Sequence, residues 1–308
     1  MENLCITVDY QKCADRQWYK DVIDFFTKYL DAKPINPMYA SNLGKEYLVF
    51  LSDHEELNRI ADIKAAAVSF THSSWAIPFV GNILQAWDSQ CYTKMPVKYL
   101  TATTWLENLL KSMYPGCDVS AVGPVYNVNN SVPSAFKYAA KTKWKNLVVA
   151  GSRILHAKNI NMWFYIAMLY PGKKFVFCFS EELPQEIKQW LPKFPNVIVE
   201  QNCNRNKFQE WLAKAEYYLH YSFYDTFSVS LLEAALLRCK IIMPDFDRLK
   251  DAPFRLEWIK GGFSPYSFNN MWASHSTIKI DEGKINPQKT AARIELVLES
   301  YRERHLKE

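Results

Sequence analysis

Short apolar runs and longer amphipathic stretches take turns along almost the whole chain. Residues 4–8 read as a buried strand, and 16–30 set Trp18, Val22, Phe25, Phe26 and Leu30 on one stripe of a helix. Residues 47–51, 65–70 and 97–101 predict further strands, and 104–113 a helix. Residues 119–122 predict a strand running into Gly123-Pro124, a turn signal. The segment 126–143 then breaks the pattern with Asn127, Asn129, Asn130, Ser131, Pro133 and Ser134. Beyond it the rhythm restarts. Strands are predicted over 146–150, 175–179, 197–200, 217–221 and 240–243. Helices are predicted over 161–169, 183–191 (between Pro184 and Pro192), 207–219, 228–237 and 290–304. The 207–219 stretch sets Phe208, Trp211, Leu212, Ala215, Tyr218 and Leu219 on its buried side.

Strands alternating with helices predict α/β architecture, with parallel sheets covered by helices on both faces. Two such blocks in tandem predict two Rossmann-like, doubly wound domains facing a cleft. The expected boundaries are 1–135 for the first domain and 136–289 for the second, with 126–143 as the connecting segment. The closing helix, 290–308, is expected to pack back on the first domain. Ligands of such sheets lie at the carboxyl ends of the strands, where strand order reverses, and a cleft between two domains is the natural site.

The 308 residues suit two domains, and 49% hydrophobic with 22% charged residues is globular rather than disordered composition. A net charge of +5 favours anionic ligands without choosing among nucleotides, nucleic acids and acidic membranes, since no dense Lys/Arg run is present. The seven cysteines form no Cys-x-x-Cys pair and several sit in apolar runs, which reads as reduced thiols in a cytoplasmic protein. The chain enters a strand at once, which reads as no signal peptide, and no apolar run reaches membrane-spanning length.

The segment 221–244 is the most informative. Asp225 follows a strand, a turn of small and polar residues comes next, and a helix starting near Ser228 carries Glu233, with seven residues between the two acids. The unpaired N–H groups of a first helical turn suit an anion or sugar hydroxyls, and a carboxylate beside them can accept paired hydroxyls. An ordinary strand–turn–helix with two acids fits the same text equally well. The segment resembles the Glu-(seven residues)-Glu motif of retaining GT-B glycosyltransferases, with Asp225 in the first acid's place and Phe227, Glu233 and Ala234 matching. The resemblance implies that Asp225 faces the donor sugar, Glu233 the nucleotide ribose, and that the backbone of Thr226, Phe227, Ser228 and Val229 cradles the sugar. Asp replaces Glu here, and Thr226 and Ser228 stand where the family has glycines.

The stretch 148–158 adds Gly151, Arg153 and Lys158, the last two separated by four residues. It resembles the family's Gly-Arg-(four residues)-Lys signature, whose cations grip the donor diphosphate. Fixed cations stabilise a leaving nucleoside diphosphate more in the transition state than in the ground state. The plain alternative is two cations on a solvated loop. With both cations at the diphosphate, no metal and no cofactor beyond the nucleotide sugar is expected; Asp245-Phe-Asp247 reads as a loop.

The first half carries fainter echoes. His72 matches a position where such enzymes place a histidine near the transferring sugar, though a histidine after a strand also serves as an ordinary loop hydrogen-bonder. Asp9, Lys12, Ser73 and Trp75 are candidates for the acceptor side. The resemblance implies transfer of a hexose or pentose from a nucleotide diphosphate with retained configuration. The acceptor stays open: a modified DNA base held against Trp75, Trp87 or Trp105, as in phage enzymes; a lipid met through the amphipathic stretch 105–114; or a glycan. A non-catalytic nucleotide or nucleic-acid binding module on the same fold is a further reading.

Overall fold

The computed structural model describes residues 3–9, 17–51, 63–71, 97–125, 142–154, 158–222, 228–243, 254–257, 277–280 and 286–307. The chain divides into two compact units, Met1–Val128 with Asp251–Pro253 and Asp281–Glu308, and Asn129–Lys250 with Phe254–Ile280.

In the first unit, strands β1 (Leu4–Thr7), β2 (Lys33–Ile35), β3 (Leu48–Leu51), β4 (Ala66–Thr71), β5 (Val97–Thr101) and β6 (Val119–Ala121) form a sheet in the order β2-β1-β3-β4-β5-β6. All its pairings are parallel. Strands β1, β3 and β5 are buried along their whole length, as a parallel sheet covered on both faces requires. Leu4, Ile6, Leu48, Phe50, Val68 and Leu100 face helix α1 (Gln17–Tyr29), which contributes Val22, Phe25 and Phe26. Val49, Ala67, Val97, Tyr99 and Val119 lie on the opposite face with Leu106 and Leu110 of helix α2 (Thr104–Met113). The apolar side of α2 is therefore part of a protein core, and Trp105 packs at its margin. The last helix, designated α7 (Pro287–Lys307), lays Ala291, Ile294, Leu298 and Tyr301 into the core that α1 covers.

In the second unit, strands β7 (Trp144–Ser152), β8 (Lys174–Phe179), β9 (Val197–Glu200), β10 (Ala215–Leu219) and β11 (Lys240–Ile242) form a sheet in the order β11-β10-β7-β8-β9, again with parallel pairings. Helix α3 (Ile160–Leu169) packs Trp163, Ile166 and Ala167 against Phe175, Phe177 and Phe179. After a short α4 (Gln185–Lys188), helices α5 (Arg205–Lys214) and α6 (Val229–Leu236) pack together, α5 on β7 and β10 and α6 on β11. An antiparallel pair, β12 (Phe254–Glu257) with β13 (Thr277–Ile280), stands against β11 and α6.

Three predicted helices depart from the sequence expectation, and strands β2, β12 and β13 were not predicted. The helix over 183–191 shrinks to α4 and a 3-10 turn, Leu191–Lys193. Pro192 has no N–H to continue the ladder, and its ring opposes a helical turn before it. The helix over 207–219 starts earlier and stops at Lys214, and 215–219 become β10. The start is set by Asn204, whose side chain accepts the Lys207 amide. The stop is set by β10 pairing with β7 and β11, because a ladder on both sides outweighs the helical stripe. Helix α7 begins at Pro287 rather than 290, where Asn286 accepts the Lys289 amide and Pro287 occupies the first turn.

Candidate functional site

The chain runs β7, β8, β9 to one side of the second sheet, then crosses back to place β10 and β11 on the other side of β7. Strand order thus reverses between β7 and β10, and the crevice outside their carboxyl ends is where open α/β sheets take ligands. Strand β7 delivers Gly151, Ser152 and Arg153 to this edge, and β10 delivers His220, Tyr221 and Ser222. Helices α3, α5 and α6 each follow a strand of the parallel sheet, so their N-termini stand at the same edge.

Arg153 is exposed. Its loop is fixed beside it: the Ile154 amide donates to Glu181 Oε1 at 2.5 Å, and the Ser152 hydroxyl donates to the Arg153 carbonyl at 2.7 Å. Gly151 has a steric duty. A Cβ built on it would come 2.4 Å from Cε2 of Phe208 on α5. Lys158 is half-buried and precedes Asn159, which enters α3 through a left-handed conformation with φ 51°.

Ser228 caps α6, its hydroxyl accepting the Leu231 amide at 3.2 Å and lying 2.9 Å from the Ser230 hydroxyl. The Tyr218 hydroxyl on β10 donates to Ser230 at 2.8 Å, tying the helix start to the strand beside it. Val229 opens the helix half-buried. Glu233, one turn further on, is buried at 2% exposure. Its Oε1 accepts from Arg205 Nε at 2.6 Å and from Gln209 Nε2 at 2.9 Å, both on α5.

Gly151, Arg153, Lys158, Ser228, Val229 and Glu233 therefore all belong to segments at, or one helical turn behind, this edge. Asp225, Thr226 and Phe227 lie outside the described residues, as do Lys12, His72, Ser73, Trp75 and Trp87. Asp9, in the first unit, follows β1 and donates its amide to the Tyr19 hydroxyl at 2.9 Å.

The sequence places nucleotide-base recognition near 201–207, a stretch that includes Arg205, but it does not mark Arg205 or Gln209 as partners of Glu233. A partial signal existed: spacing i, i+4 sets both on one helix face, directly after an asparagine cap. Two thiols also meet near this edge. Cys178, late in β8, donates to Cys203, which holds Cys178 high and brings Cys203 below the ordinary thiol value. Among the described residues, no group of three His, Cys, Asp or Glu stands together as a metal set. No described helix is long and apolar enough to cross a membrane.

No family model and no curated protein matches the chain. Solved structures do. Anabaena HepE in complex with UDP-glucose matches with a TM-score of 0.65 at 10% identity, over 99% of this chain and 98% of that one. AviGT4, a glycosyltransferase involved in avilamycin A biosynthesis, gives 0.58 at 14% identity, over 94% and 90%. A mutant S. aureus TarM in complex with fondaparinux, α-GlcNAc-glycerol and UDP gives 0.58 at 14% identity, over 88% of this chain but only 56% of that one. The chain thus spans little more than half the length of TarM. With its two parallel-sheet units in tandem, this chain has the GT-B type of α/β fold, which it shares with HepE, AviGT4 and TarM.

Proposed function

We propose that this chain is a nucleotide-sugar-dependent glycosyltransferase that binds its donor on the second unit, at the carboxyl edge between β7 and β10. The observation that carries the reading is a coincidence of position. The point where strand order reverses is also where β7 releases an exposed arginine, Arg153, and where α6 starts at its serine cap. The UDP and UDP-glucose bound by the structural neighbours supply the donor class.

In this reading Arg153 and Lys158 hold the diphosphate and Glu233 holds the ribose. Asp225 orients the sugar over the backbone of Thr226, Phe227, Ser228 and Val229. The acceptor hydroxyl oxygen attacks the anomeric carbon as the bond to the β-phosphate oxygen breaks, and that leaving oxygen takes the acceptor's proton. Configuration is retained, and no protein nucleophile is required. Negative charge grows on the leaving diphosphate, so cations there act more strongly on the transition state than on the bound donor. His72 stabilises the developing oxocarbenium, and Asp9, Lys12, Ser73 and Trp75 serve the acceptor. A hydroxylated DNA base is the acceptor we propose, in keeping with the net charge of +5.

The test is turnover of UDP-glucose with hydroxymethylated DNA, a phospholipid and an oligosaccharide offered in parallel. Arg153→Ala is expected to lower the rate by roughly 100-fold or more, as for loss of one preorganised charge-stabilising donor. Undiminished turnover by that variant would refute the site. Transfer to lipid or glycan alone would replace the DNA acceptor and leave the donor site standing.

A further inference from the structure

We infer that Arg205, assisted by Gln209, is a positioning residue that holds the Glu233 carboxylate in the orientation a bound nucleotide's ribose requires. The inference rests on the donor reading above, and three observations lead to it.

The first is the bond itself. Arg205 Nε and Gln209 Nε2 both end on Glu233 Oε1, at 2.6 and 2.9 Å. Two donors from one helix face, converging on one oxygen, hold Oε1 in place and so restrict the swing of the carboxylate. The second is burial. The Glu233 side chain is 3% exposed and that of Arg205 24%, so the carboxylate sits where a charge is sustained only by partners. The third is an apparent misplacement. Arg205 is the first residue of α5, whose opening turn carries no acid, and a cation there opposes the helix dipole. A feature that breaks a local rule needs a compensating contact elsewhere, and the ion pair with Glu233 is such a contact.

The arrangement reaches further than one pair. Phe208, between Arg205 and Gln209 in sequence, presses on Gly151 at the end of β7. The start of α5 is thereby held against the strand that releases Arg153, and through Glu233 it is held against α6. A displacement of Arg205 would shift the proposed ribose contact without touching the proposed diphosphate contact.

That separation defines the experiment. Affinities of the full chain for UDP, ADP and GDP are compared with those for the 2′,3′-dideoxy counterpart of whichever binds. The wild type is expected to prefer the ribose form by about tenfold or more, the scale of a hydrogen bond to a charged group. Arg205→Ala should collapse that preference while affinity for the dideoxy form stays within about threefold. Arg205→Lys, which keeps the charge without the fork, should restore it in part. In a Glu233→Gln background, Arg205→Ala should cause no further loss of preference. Should Arg205→Ala unfold the chain, the comparison of Arg205→Lys with Gln209→Ala decides, since both keep the buried carboxylate partnered. A full preference in every Arg205 and Gln209 variant, with Glu233→Gln having lost it, overturns the inference and leaves the donor reading intact. A wild type that binds nucleotides without any ribose preference overturns the Glu233 role and this inference together. A wild type that binds no nucleotide overturns the donor reading itself.

Discussion

The Phe208 ring occupies the space in which a side chain on Gly151 would stand. A Cβ there would come 2.4 Å from Phe208 Cε2 and 2.8 Å from Cδ2. Gly151→Ala is therefore expected to destabilise the second unit by about 1–3 kcal/mol, the usual cost of overpacking. Combining it with Phe208→Leu should recover part of that loss. Urea unfolding of the two variants is the measurement, and equal midpoints for wild type and Gly151→Ala would contradict the contact.

Helix α7 makes a similar test possible in the first unit. Ile294 and Leu298 are fully buried in the core shared with α1, whereas Leu296 is 69% exposed. Leu298→Ala should cost about 2–5 kcal/mol and Leu296→Ala less than about 0.5 kcal/mol. Similar losses from the two leucines would show that α7 is not docked as described.

The Glu216 carboxylate predicts an acid-sensitive contribution. Burial would raise its pKa, but the Lys240 ammonium at 2.9 Å and the Asn146 amide at 2.8 Å overcome it and hold the group below its ordinary value. A depressed folded pKa gives stability that is fully present above the unfolded value of about 4.3 and is lost as pH falls through the folded one. Lys240 is raised by the same pair, so its share is lost as pH climbs past the ordinary lysine range. The stability gap between wild type and Glu216→Gln should thus be flat near neutrality and close below about pH 4. A gap that persists unchanged into strong acid would refute the pair's role.

Among the described cysteines, Cys203 is expected to alkylate first. Its thiol is lowered by the hydrogen bond it accepts from Cys178, while burial pushes Cys117 and Cys239 up to about 11. Iodoacetamide labelling near pH 7 with peptide mass mapping reads the order. Cys178→Ala removes the donor and should slow labelling at Cys203. Faster labelling of Cys117 or Cys239 in the native protein would contradict it.

Much of the fold was readable because the signals were local. Residues 97–101 and 104–113 coincide with β5 and α2, since Thr103 lies between them with its hydroxyl accepting the Leu106 amide. The short strand β2 is not predicted by periodicity, because its residues, Lys33-Pro34-Ile35, carry almost no apolar pattern. The boundary inside 207–219 is ambiguous in the sequence because Tyr218 and Leu219 satisfy a helical stripe and a strand alike. In the candidate site, Arg153 and Glu233 stood out as charges at motif spacing. The ion pair from Glu233 to Arg205 did not, as 28 positions separate them.

The linear order of apolar and polar residues was enough to establish the alternation of strand and helix and the class of architecture, because periodicity depends only on neighbours a few positions away. Which strands adjoin, where their order reverses, and which helix faces meet were decided by folding. Those relations come from burying whole sheet faces at once and from partnering charges that burial would otherwise isolate, as Glu233 is partnered across two helices by Arg205.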